Sequence, residues 1–390
     1  MKEIFRQAKA LQQQLVSNRR YLHENAEVGF DLPKTCAFVE EKLCGMGYKV
    51  EKCAKNAVVA TLGRGESVLL RADMDALPMA EQTKLPYACT NGRMHACGHD
   101  MHTTMLLGAA KLLKNNEEKL SGGVTLLFQP AEEILEGAQK VVESGALKKY
   151  KVAAAFAMHV TTGTELPTGA IVMQKGVGAP SADYFTIEIR GKGCHGSSPW
   201  EGIDPVPCAA RIVLGLQEIF SRELSLQQRA VLTVGSLQTG DAGNVIPETV
   251  FLKGTLRAYD EITREWVKSR LKAISSNIAK AFRCKALTSF QGGAPTLIND
   301  EKVTAFAYET LSNTLGEKRV MLVENSFGGA SEDFAYIARE VPSVMLGIAA
   351  GSKAQGYEYG LHNSQTQFDE EVLWQGAAVY ATLALSAKTE

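Results

Sequence analysis

Short apolar runs alternate with amphipathic stretches through the first half of the chain. Ile4, Phe5, Leu11, Leu15 and Leu22 recur at roughly helical spacing and predict a helix at the start. Segments 58–62, 68–70, 124–128 and 153–158 are short apolar runs that predict strands. Between them, 105–113 is a strongly apolar helix and 137–145 a second helical stretch. Strands alternating with helices argue for an α/β layer around a largely parallel sheet.

Near residue 180 the pattern changes. Segment 184–190 alternates strictly, with Phe185, Ile187 and Ile189 on one face. Then come an amphipathic helix at 205–220, strands at 230–237 and 249–259 around a Gly-rich turn, a long helix at 261–282 and a strand at 285–290. The order β-α-β-β-α-β is the split, ferredoxin-like unit. We therefore read 178–290 as a domain inserted into an α/β domain made of 1–177 and 291–390. Its second part carries a helix at 301–315, a strand at 343–347 and a closing helix from 370.

Composition narrows the function. Lys plus Arg total 42 and Asp plus Glu 43, a formal net charge of −1 over 390 residues. A near-neutral chain has no electrostatic footprint for nucleic acid. No apolar run approaches the roughly 18 residues of a membrane span. The eight cysteines are scattered with no CxxC pair, and read as reduced thiols of a cytoplasmic protein.

Four polar clusters follow apolar strands or lead into the apolar helix: Asp73 and Asp75, then MHACGHD (94–100), Glu132 with Glu133, and His159. In open α/β sheets ligands bind beyond the carboxyl ends of the strands, so these clusters converge on one edge. Cys97 and His99 flank a glycine, and a tight turn can aim both at one ion. Thiolate, imidazole and carboxylate are the usual ligands of zinc and its first-row neighbours. Of two adjacent glutamates, one can bind metal while the other takes a proton from a water that the metal has acidified. Each feature alone has a plainer reading: a structural Cys or His, a solvated Glu pair, an Asp that caps a helix. Their joint occurrence, with His95, His99 and His102 inside eight residues, favours a metal site used for hydrolysis.

RADMDALP (71–78), MHACGHDMHTTMLLGAA (94–110), FQPAEE (128–133), MHV (158–160), GKGCHGSSP (191–199), NVIP (244–247), GTLR (254–257), SEDFA (331–335) and LHN (361–363) occur in this order. With them the chain resembles the aminoacylase/carboxypeptidase metallopeptidases, in the branch of hippurate hydrolase, N-acetyldiaminopimelate deacetylase and the indole-acetyl-amino-acid hydrolases. The resemblance implies a two-metal site held by Cys97, His99, Glu133, His159 and His362, with Cys97 as bridge, and two divalent ions, zinc or manganese, with cobalt or nickel as alternatives. It implies Glu132 as general base, His195 as the group that polarises the scissile carbonyl, and Asn244 and Arg257 as substrate contacts. Asp73 and Asp100 are expected to orient the ligands from behind.

The expected activity is metal-dependent hydrolysis of the amide of a small N-acyl amino acid, releasing a carboxylic acid and the amino acid. A dipeptidase or carboxypeptidase with the same site, and a non-catalytic binder of amino-acid derivatives, are the alternatives. The insert is expected to act as a lid and as the dimerisation domain of a homodimer. His195 also suits a surface histidine, Asn244 a turn residue, and Arg257 an ion pair with Asp260 or Glu188.

Overall fold

The computed structural model describes residues 2–324 and 329–388. They form two compact units: 2–178 with 297–324 and 333–388, and 179–296 with 329–332. The first unit opens with helices α1 (Lys2–Ala10), α2 (Gln12–Glu24) and α3 (Pro33–Gly45). It continues through strands β1 (Val50–Cys53), β2 (Ala57–Leu62) and β3 (Ser67–Asp73), helix α4 (His99–Asn115) and strand β4 (Gly123–Gln129). Helices α5 (Gly137–Glu143) and α6 (Ala146–Lys149) lead to strands β5 (Val152–Thr161), β6 (Ile171–Gln174) and β7 (Gly176–Ala179).

The second unit runs β8 (Ala182–Arg190), β9 (Cys194–His195), α7 (Pro205–Gly215), β10 (Ala230–Gln238), β11 (Val245–Ile246), β12 (Thr249–Ala258), α8 (Glu261–Ala281) and β13 (Lys285–Ala294). Its main sheet is antiparallel, in the order β10-β12-β8-β13. One face, through Phe185, Ile187, Ile189, Val250, Leu252 and Leu256, packs with α7 and α8 into a core of its own. The alternation at 184–190 is thus a half-buried strand, apolar side inward. Asp204 and Asp260 cap α7 and α8 by accepting from Val206 and Thr263 amides. Strand β13 runs past the expected end at 290, because a bulge between Gln291 and Gly293 carries the pairing on to Ala294.

The chain then completes the first unit with β14 (Leu297–Asn299), α9 (Glu301–Leu315), β15 (Val320–Val323), α10 (Ala335–Glu340), β16 (Ser343–Ala349) and α11 (Leu373–Ser386). The large sheet has the order β1-β2-β4-β3-β5-β16-β6-β15. Its centre, β4-β3-β5-β16, is parallel throughout. Every residue of β3 and β4 is buried, as expected of strands covered on both faces. Helix α4 is buried nearly all round, as its apolar middle, Met105–Ala110 with Leu112 and Leu113, requires, and its first turn buries His99, Asp100 and His102 as well. It packs closely on α11, where a Cβ on Gly376 would stand 1.8 Å from Met105 Sδ. This packing fixes the start of α4 over the carboxyl ends of the central strands.

Candidate metal centre

Glycine 98 makes the first constraint. It caps α4 in the left-handed region, at φ 83°, a conformation costly for other residues. The turn puts Cys97 and His99 on one side. The His99 ring donates Nδ1–H to the Asp75 carbonyl at 2.8 Å, which leaves Nε2 bare. On β5, His159 likewise donates Nδ1–H to the Val160 carbonyl at 2.7 Å and keeps Nε2 free for a ligand. That nitrogen lies 3.4 Å from Cys97 Sγ. On the other side of the same sulfur, His362 Nε2 is at 3.2 Å, and 3.5 Å from Glu133 Oε2. His362 is itself left-handed, at φ 60°, with its amide bonded to the Ala96 carbonyl at 3.0 Å.

Two clusters of donor atoms therefore share one thiol: Cys97, His99 and His159, and Cys97, Glu133 and His362. Glu132 stands beside both, with Oε2 3.8 Å from His99 Nε2. His99 Nε2 and Glu133 Oε1 are buried with no hydrogen-bond partner. A buried bare nitrogen and a buried bare carboxylate oxygen, facing a common centre, are costly unless a cation satisfies them. This donor set fits two divalent ions.

The electrostatics agree. Burial pushes the Glu133 carboxyl up to about 7 and the His159 imidazole down to about 3. Burial also pushes the Cys97 thiol up. A bound cation reverses that logic and draws the thiolate and the carboxylate form. Asp73 is held well below the usual range: burial opposes its charge, but His99, Arg71 and His102 overcome that.

Comparisons with known proteins agree with this chemistry. The family described as Peptidase family M20/M25/M40 matches residues 69–386. The chain belongs to that family. It is 39% identical over 337 residues to the N-acetyl-L-cysteine deacetylase of Bacillus subtilis, covering 85% of this chain and 79% of that protein. It is 36% identical over 383 residues to the hippurate hydrolase of Campylobacter jejuni, covering 96% and 97%. A Bacillus subtilis crystal structure described as a dinuclear metal-binding M20 peptidase matches at a TM-score of 0.81 and 32% identity, over 97% and 98% of the two chains.

The supports behind this M20 centre differ from the expected ones. Asp73 reaches His102 Nδ1 at 2.6 Å and Arg71 at 2.7 Å, but its oxygen is 3.8 Å from the His99 ring. His102 Nε2 accepts the Val160 amide at 2.8 Å, so Asp73 acts through His102 on the strand that carries His159. Asp100 bonds Arg19 Nε at 2.7 Å and His23 Nδ1 at 2.8 Å instead of a ligand ring. A support beyond the two expected is Asp75. Its two carboxylate oxygens accept the amides of Glu132 and Glu133, at 2.9 and 3.1 Å, while its carbonyl holds His99. Its signal in the sequence is its place beside Asp73 in the polar cluster that follows the strand.

The remaining M20 candidates lie in the second unit. His195 is exposed, and β9 pairs it with Val245 of β11. The Ser197 amide can only donate, and it does so to His195 Nδ1 at 3.1 Å, with the Ser197 hydroxyl at 2.7 Å from the same nitrogen. In the neutral ring the proton therefore sits on Nε2. The Asn244 carbonyl accepts the Gly196 amide at 2.8 Å, so the backbone ties it to the His195 turn. Arg257 pairs with neither carboxylate considered above. Register places it opposite Val231, whereas Glu188 lies opposite Phe251 and bonds Arg190. Asp260 is occupied in capping α8. Arg257 instead donates to the Ser331 hydroxyl, a neutral partner that leaves its charge for an anion.

Proposed function

We propose that this protein hydrolyses the amide bond of N-acyl amino acids, releasing a carboxylic acid and a free amino acid. The observation that carries the reading is the pair of donor clusters sharing Cys97, with a second carboxylate, Glu132, beside them. Cys97, His99 and His159 would hold one ion, and Cys97, Glu133 and His362 the other; zinc or manganese suits this set, as do cobalt and nickel. When bound, the ions supply positive charge that acidifies a water and polarises a carbonyl oxygen. Glu132 takes the proton of the attacking water and returns it to the leaving amine. His195 offers Nε2–H to the oxyanion that develops on the scissile carbonyl. Arg257 grips the free carboxylate of the amino acid bidentately, and Asn244 adds a polar contact.

The second unit, a βαββαβ layer of the ferredoxin-like kind, serves in this reading as lid and as the contact of a homodimer. Strand β10 supports the dimer: it is an edge of its sheet, with Val231 and Leu237 about half exposed. Eight unpaired cysteines suit a reducing, cytoplasmic setting. No helix among the described residues is long and apolar enough to cross a membrane.

The test is a panel of N-acetyl, N-benzoyl and longer N-acyl amino acids, assayed against free-amine dipeptides with zinc, manganese, cobalt or nickel. Turnover of acylated amino acids is expected, with two ions per chain by metal analysis. Glu132→Gln is expected to lower kcat by about a hundredfold or more, the usual contribution of a positioned general base. Preference for free-amine dipeptides, or full activity in Glu132→Gln, would overturn the reading.

A further inference from the structure

The loop that carries His195 also carries an exposed tryptophan that the mechanism does not use. Of the three tryptophans, Trp266 and Trp374 are half-buried, while Trp200 is 74% exposed. An indole buries some 150–250 Å² when it is covered, so exposing one forgoes a large apolar contact. The loop around it is not loose. Lys192 and Ile203 close its base with two reciprocal amide–carbonyl bonds, each 2.9 Å. Within it, Ser198 donates to the His195 carbonyl at 2.9 Å, Glu201 to Ser198 at 3.0 Å, and the Cys194 thiol to Ser198 at 3.5 Å. Its glycines are there because nothing larger fits: a Cβ on Gly202 would lie 2.5 Å from Cys194 Sγ, and one on Gly196 2.9 Å from the Asn244 carbonyl oxygen.

His195 and Trp200 are thus parts of one rigid turn. Val245, directly across β9 from His195, is 52% exposed as well. The imidazole, with its Nδ1 held by Ser197, is thus bracketed by two exposed apolar side chains, Trp200 in its own hydrogen-bonded loop and Val245 as its partner across the strands.

We propose that Trp200, with Val245, forms an apolar platform for the acyl group of the substrate, and makes the protein selective for flat, apolar acyl groups over acetyl. The inference rests on the amidohydrolase reading above and deepens it. The carbonyl that accepts from His195 belongs to the acyl group, so the atoms attached to that carbonyl are the ones nearest this turn. The amino-acid half is directed elsewhere, because its carboxylate needs Arg257. An indole face stacks well on an aromatic acyl group and gains little from a methyl.

The test compares kcat/KM for N-benzoylglycine and N-acetylglycine in the metal-loaded wild type, Trp200→Ala and Trp200→Phe. Trp200→Ala is expected to lower the benzoyl-to-acetyl ratio by about tenfold or more, within the range that hydrophobic contacts discriminate. Trp200→Phe is expected to restore most of the ratio. In a second measurement, on a Glu132→Gln background, N-benzoylglycine is expected to blue-shift the emission of the exposed indole, and glycine alone is not. A ratio within twofold of wild type in Trp200→Ala, no emission shift, or a changed preference among amino acids at constant acyl group would each overturn the platform while leaving the amidohydrolase reading intact. Failure of the wild type to cleave any N-acyl amino acid would overturn both.

Discussion

Replacing Asp75 by Asn tests how the two glutamates are aimed. The turn that presents them is strained: Ala131 at φ 60° and Leu135 at φ 56° both lie in the left-handed region. Each costs about 1–2 kcal/mol for a residue with a Cβ. Within the turn, Leu135 donates to the Glu132 carbonyl at 2.7 Å, and Glu136 and Gly137 to that of Ala131 at 3.2 and 3.1 Å. What pins Glu132 and Glu133 is the buried Asp75 carboxylate, with one oxygen on each amide. Hydrogen bonds to a charged acceptor contribute about 1.5–3 kcal/mol each, enough to offset the strain.

An asparagine has the same shape but one acceptor oxygen. Its NH₂ group would face the second amide, donor against donor. One charge-assisted bond is lost, about 1.5–3 kcal/mol, and the turn is left near balance with relaxed alternatives. At about 1.4 kcal/mol per tenfold, kcat/KM should fall roughly ten- to a hundredfold. Activity and bound metal are measured together on the same preparations. A fall in kcat with two ions retained places the damage at Glu132; loss of one ion places it at Glu133. Asp75→Asn with two ions and activity within twofold of wild type would refute the argument that this carboxylate aims the pair.

Two further outcomes are expected. Gly98→Ala combines left-handed strain of about 1–2 kcal/mol with a Cβ only 2.3 Å from Val160 Cγ2 and 3.0 Å from Phe368 Cζ. Overpacking a core costs about 1–3 kcal/mol, so denaturant titration should show a loss of about 2–5 kcal/mol, together with weaker metal retention. The His23 cluster should make stability depend on pH. Burial and Arg19 disfavour its charge, but bonds to Asp100 and Glu81 raise His23 above its ordinary value. A raised histidine stabilises fully below its unfolded value of about 6.5, and the contribution is lost as pH rises through the folded value. Asp100 and Glu81 are lowered, so their contribution is present above about 4 and lost in acid. Thermal midpoints of the metal-loaded protein should decline from pH 6.5 upward, and His23→Gln should flatten that decline; an unchanged slope in the variant would count against it.

Residues whose chemistry is local were legible in the sequence, and residues whose role depends on a distant partner were not. Cys97, His99, Glu133, His159 and His362 are a donor set that few structural roles explain. The apolar runs that lead to Glu133 and carry His159 are long enough to be read as strands, and the parallel centre of the sheet brings their ends together. Short or half-exposed strands left no such pattern. Strands β1, β6 and β15 have four residues each and lie at or near the sheet's edges, and four residues are too few to set a strand apart from a loop by pattern. Asp100 shows the limit most clearly. It follows His99 directly, which suggests a ligand's support, yet Arg19 and His23 claim it from 81 and 77 residues away. Asp73 and Asp75 are two residues apart, and strand periodicity makes them equivalent. They differ because β3 ends at Asp73. Asp73 remains in the sheet, inside the Arg71 and His102 network. Asp75 has left it, and its carboxylate is free to reach the amides that follow β4. Which aspartate reaches the amides of Glu132 and Glu133 is therefore decided by where β3 stops.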